Sequence, residues 1–68
     1  MITILVIDDD IHIGNLLEEA LSGEGYSVIR AYSGTEAQLV LSKAKPDLIL
    51  LDLMLPGHRF LQLRPNYD

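Results

Sequence analysis

Two short aliphatic runs that each end in aspartate constrain the fold of this 68-residue chain more than any other feature. Ile2 to Ile7 is nearly unbroken in β-branched and aliphatic residues and leads into Asp8-Asp9-Asp10. Leu48 to Leu51 is a second such run and leads into Asp52. Runs this short, apolar at nearly every position, are the mark of strands buried on both faces, as in a parallel sheet covered by helices.

The stretches between them supply those helices. Asp10 is placed as an N-cap, and Ile13, Leu16, Leu17, Ala20 and Leu21 recur at the spacing of one helical stripe, which Gly23 and Gly25 bring to a stop. Tyr26 to Ala31 carries the β-formers Tyr26, Val28 and Ile29 and reads as a second strand. Ser33-Gly34-Thr35-Glu36 has the capping-box pattern that opens a second helix. Its stripe is Ala37, Val40, Leu41 and Ala44, with Lys43 and Lys45 near the end that favours cations, and Pro46 closes it.

Strand, helix, strand, helix, strand is the order of an α/β domain, because parallel neighbours need a helix-length crossover to return to the same end. The expectation is a three-stranded parallel sheet in the order 2-1-3, with both aspartate-bearing strand ends flanking one crevice. After Pro56-Gly57 the pattern changes. Residues 58–68 show no helical stripe, and Leu61 and Leu63 alternating with Gln62 allow at most a short edge strand, so an irregular tail or an exchanged segment is expected there.

Composition excludes several functions. There is no cysteine, so neither disulfides nor thiolate metal sites exist. Ten acidic against five basic side chains, with no basic cluster, argue against direct contact with nucleic acid. No basic region precedes the first apolar run, and Asp52 interrupts the second, so neither reads as a secretory signal or membrane span and a cytoplasmic location is expected.

The chemistry lies in the aspartates. Neighbouring strands run about 4.8 Å apart, close enough for Asp8, Asp9 and Asp52 to converge. Anions that near repel one another unless a hard cation sits among them, and Mg²⁺ suits oxygen donors while keeping several waters. A carboxylate beside such an ion can attack phosphorus. Aspartate at a strand end is commonly just a turn or cap residue, as Asp10 is read here. Asp52 differs, since an acid set in Leu48-Ile49-Leu50-Leu51-Asp52-Leu53-Met54-Leu55 is costly to bury without a partner or a task.

Three stretches in order, Ile4-Leu5-Val6-Ile7-Asp8-Asp9-Asp10, Glu24-Gly25-Tyr26 and Pro46-Asp47 through Pro56-Gly57, resemble the response-regulator receiver domains of two-component signalling. The resemblance implies a doubly wound, flavodoxin-like fold over residues 1–57, truncated relative to the family, with residues 58–68 a divergent tail. It implies that Asp52 is the phosphoacceptor, that Asp8 and Asp9 hold Mg²⁺ directly or through water, and that the Met54 backbone carbonyl is a further ligand. The phosphoryl donor implied is a phosphohistidine on a sensor histidine kinase, in a phosphorelay without enzymatic turnover by this chain.

Family members continue past Pro-Gly with an acidic-glycine turn, three helices and two strands, which carry a switch Ser/Thr and a pairing Lys. These 68 residues hold no position for either, so impaired phosphorylation is the expectation. A third strand without an outer neighbour further predicts a homodimer or higher oligomer through that edge. Two alternatives stand beside the receiver. Asp8 and Asp10, two apart after an apolar strand, also fit a haloacid-dehalogenase-like phosphatase fragment, although His12 stands where that family has Thr or Val. An oligomerising structural remnant with an idle acidic pocket is the other.

Overall fold

The computed structural model describes residues 1–52 and 60–66. Its elements are β1 (Thr3–Ile7), α1 (Ile11–Gly23), β2 (Ser27–Ala31), α2 (Gly34–Lys43), β3 (Leu48–Asp52) and β4 (Phe60–Leu63). They form one sheet in the order β2-β1-β3-β4. β1 pairs in parallel with β2 and β3, as the two apolar runs require.

The sheet departs from the expected three strands in its fourth. β4 runs antiparallel to β3, with Ile49 opposite Leu63 and Asp52 opposite Phe60. The outer edge of β3, expected to be bare and to recruit a second copy, is therefore occupied by residues 60–63 of the same chain. The physical reason is the alternation of Leu61, Gln62 and Leu63. It sets both leucines on the face shared with Ile49 and Leu51, while β3's open backbone groups supply a ladder.

Alternation divides the core between two faces. Leu5, Ala31 and Ile49 pack with Ala37, Val40 and Leu41 of α2. Ile4, Val6 and Leu50 pack with Leu17 and Leu21 of α1. Leu5 and Val6 are wholly buried, each contributing roughly 1.5–3 kcal/mol.

Local chemistry fixes the boundaries. Asp10 caps α1 by accepting from the N–H groups of His12 (2.9 Å) and Ile13 (3.3 Å). At its other end the N–H of Tyr26 donates to Leu21 O and that of Gly25 to Ser22 O, with Gly25 at φ 91°, the left-handed conformation glycine adopts without strain. Tyr26 thus belongs to the helix stop, and β2 begins one residue later than its β-propensity predicts. Ser33 Oγ accepts from Glu36 N–H at the start of α2. At the opposite end of the sheet Asp47 clips β3 to β1, its carboxylate accepting from Thr3 N–H (2.8 Å) and its own N–H donating to Thr3 O (2.7 Å).

The stripe of α1 is rotated from the one its apolar residues predict. Ile13, Leu17 and Leu21 are partly buried, but Leu16 is 64% exposed, and the buried residue of the helix is Gly14. Arg30 of β2 lies against Gly14 and turns that side of the helix inward.

Candidate functional site

The parallel register brings Ile7 level with Leu51, so the next residue along each run, Asp8 after β1 and Asp52 closing β3, reaches the same height. Both fall on the α1 side, in line with Ile4 and Val6 on one strand and Leu48 and Leu50 on the other. The Asp8 N–H donates to Ala31 O at 3.0 Å, which ties the strand end to β2 on its far side. β1 lies between β2 and β3, and this is the carboxyl end of all three, the crevice where open α/β sheets place their ligands.

Both carboxylates are buried, Asp8 exposing 2% of its surface and Asp52 7%. Asp8 Oδ1 accepts from the Asp10 N–H at 2.8 Å. Asp8 Oδ2 is buried with no hydrogen-bond donor among the described residues. Burial pushes the Asp8 carboxyl above its ordinary value of 3.8; the Asp10 N–H opposes this, while the neighbouring Asp52 carboxyl and the Asp10 charge add to it. Two acids are held in contact where water cannot screen them.

Asp9 differs from the pair in exposure. It follows Asp8 by one residue and is exposed, and among the described residues no group of three or more acidic or imidazole side chains is gathered around one point. Of the three aspartates expected to converge, Asp8 and Asp52 are buried at one level and Asp9, one residue along, is exposed. Asp10 is engaged as the helix cap. His12 is exposed on α1, and Met54 and His58 lie outside the described residues.

Two buried carboxylates, one with an open oxygen, make a donor set that suits a small hard cation. Such an ion relieves their repulsion and completes its shell with water. A nucleophilic oxygen and a cation-binding oxygen side by side are also the requirements of phosphoryl acceptance.

The residues alone carry no clear sign of the places that Phe60, Arg30 and Gly14 take. Phe60 sits opposite Asp52 across the β3–β4 ladder. Arg30 and Gly14 bind β2 to α1. An isolated glycine inside a helical stripe was the available signal for the last pair.

The family model for the response regulator receiver domain matches residues 4–63. The DNA-binding response regulator MtrA of Mycobacterium leprae is 46% identical over 54 residues, covering 79% of this chain and 24% of the relative. MtrA of Mycobacterium tuberculosis matches to the same extent. The uncharacterized transcriptional regulatory protein YrkP of Bacillus subtilis is 52% identical over 54 residues, 79% of this chain and 23% of the relative. The chain therefore spans about a quarter of the length of these curated relatives, and the DNA binding named for MtrA is a property of those proteins. Among the described residues no helix is long and apolar enough to cross a membrane. With the match covering most of its length, the chain belongs to the receiver domains of two-component response regulators.

Proposed function

We propose that this chain is a phosphoacceptor module in which Asp52 takes a phosphoryl group and Asp8 holds the accompanying Mg²⁺. Asp9 would assist through water and the Met54 carbonyl would be a further ligand. Response regulators are phosphorylated by sensor histidine kinases, and receiver domains as a family bind Mg²⁺ at the phosphorylation site and are generally not enzymes. The observation that carries the reading is the buried contact between Asp8 and Asp52 at the carboxyl ends of β1 and β3.

In the proposed step an Asp52 oxygen attacks the phosphorus of a phosphohistidine. The O–P bond forms as the P–N bond breaks, and the imidazole nitrogen leaves with the electron pair. Bound Mg²⁺ would supply charge neutralisation for the transferred oxygens. The chain's own part is to hold Asp8 and Asp52 side by side, keep bulk water from them, and fix Asp8 through the Asp10 N–H. The partner is a sensor kinase in the cytoplasm. The phosphatase alternative loses its second aspartate, because Asp10 is committed to capping α1.

Incubation with Mg²⁺ and acetyl phosphate, read by intact mass, tests the proposal. One phosphate is expected on the unsubstituted chain and none on Asp52→Asn. Equal labelling of both, or labelling of neither, would refute it.

Self-association rests on a separate observation. All four residues of β4 are exposed and no described strand pairs with its outer edge, so this edge replaces β3 as the surface through which two copies would add sheets. Light scattering should give a mass above one chain; a monomer at micromolar concentration would remove this part.

A further inference from the structure

Arg30 is the one basic residue of β2, paired in register with Val6 of β1, and it is committed to α1. Its Nη1 donates to Asn15 Oδ1 and to Glu18 Oε1, both at 3.0 Å. The Arg30 side chain is 10% exposed, Glu18 45%, and the guanidinium carbon stands 5.3 Å from the centre of the Tyr32 ring. Against its other side lies Gly14, so close that a Cβ there would fall 2.1 Å from Nη2.

As a stabilising device this is a poor choice. A half-exposed ion pair contributes little. Nε and Nη2 are buried with no hydrogen-bond partner among the described residues, which costs stability. An aliphatic side chain would join strand to helix more cheaply.

What the arrangement does fix is the position of the first turn of α1. Gly14 N–H closes that turn on Asp10 O at 3.0 Å, and Asp10 N–H in turn donates to Asp8 Oδ1 at 2.8 Å. The route from Arg30 to Asp8 thus runs through this helix turn. We propose that Arg30, seated on Gly14, is a positioning residue for the carboxylate site. It holds the first turn of α1 where the Asp10 N–H engages Asp8 Oδ1 and leaves Oδ2 for a divalent cation. The cation clause rests on the function proposed above; the positioning of Asp8 does not.

NMR on the whole chain tests both. In metal-free buffer the Asp10 amide proton reports its bond to Asp8, and a Mg²⁺ titration of the same spectra gives the affinity. Arg30→Met should move the Asp10 amide upfield and weaken Mg²⁺ about tenfold, the lower end for groups that orient metal ligands. Gly14→Ala should do the same with Arg30 intact, by displacing the guanidinium, and carries the test if Arg30→Met does not fold. The double substitution should be no worse than either alone. Leu17→Ala loosens the same helix but should leave the Asp10 amide and the affinity of the folded chain unchanged. An unmoved Asp10 amide in both Arg30→Met and Gly14→Ala overturns the proposal, as does an equal loss in Leu17→Ala. If the unsubstituted chain binds no Mg²⁺, the function proposed above fails, while the metal-free spectra still decide the role of Arg30.

Discussion

Leu5 and Val6 at the centre of the sheet are wholly buried, whereas Leu61 and Leu63 on β4 expose 41% and 42% of their surface. The two pairs belong to halves of one sheet built differently. The helices pack on the two faces of β1 and β2 and reach β3 through Ile49 and Leu50, while all four residues of β4 are exposed. One half is closed by crossovers within the chain. The other is a hairpin-like ladder with an open edge. Asp8 comes from the first half and Asp52 from the second, so the acidic pair sits at the seam, and whatever joins the pair also joins the halves.

Unequal responses to substitution would establish that difference. Leu5→Ala should cost about 3 kcal/mol, since a filled core position becomes a cavity, and the denaturation midpoint should fall accordingly. A similar loss from Leu63→Ala would break the comparison, because a residue already 42% exposed should cost less than about 1 kcal/mol.

Between those extremes lies the seam. Without divalent cation, Asp52→Asn removes one of two buried like charges and should raise stability by on the order of 1–2 kcal/mol at neutral pH, seen as a higher melting temperature. A fall in melting temperature would mean that the pair is not repulsive. The pH dependence follows from the direction of the Asp8 shift. A carboxyl that binds its proton more tightly folded than unfolded contributes stability that is fully present below about 3.8 and is lost as pH rises through its raised folded value. The difference between the unsubstituted chain and Asp8→Asn, which keeps the acceptor for Asp10 N–H, should therefore shift against the unsubstituted chain over that range.

Smaller effects belong to the helix start. Asp10→Ala should cost about 1 kcal/mol through the lost cap, read by urea denaturation, and should leave the Asp8 contact in place because that contact uses the Asp10 backbone. A loss well above this would show that the Asp10 carboxylate serves the acidic pair as well as the helix.

The two halves were also unequally legible in the sequence. β1, β2, β3 and both helices follow from aliphatic runs, helical stripes and the caps Asp10 and Ser33, all local signals that the packing reinforces. The adjacency of Asp8 and Asp52 was legible for the same reason, since parallel topology places the ends of consecutive apolar runs side by side. β4 was only half visible, because Phe60-Leu61-Gln62-Leu63 is short and its pairing depends on the open edge of β3, a tertiary fact. The exposure of Asp9 and the rotation of α1 were not read at all. The first depends on backbone direction beyond a strand end, and the second on Arg30 meeting Gly14 sixteen residues away.

The central claim is that Asp8 and Asp52 form one cation-binding site across the seam. Thermal unfolding of the unsubstituted chain, Asp8→Asn and Asp52→Asn with increasing Mg²⁺ tests it most directly. At a concentration tenfold above its dissociation constant, Mg²⁺ should stabilise the unsubstituted chain by about 1.4 kcal/mol, or roughly 6–11 °C for a domain this small, and should move each variant far less. An unsubstituted chain that ignores Mg²⁺, or variants that respond equally, would contradict the account.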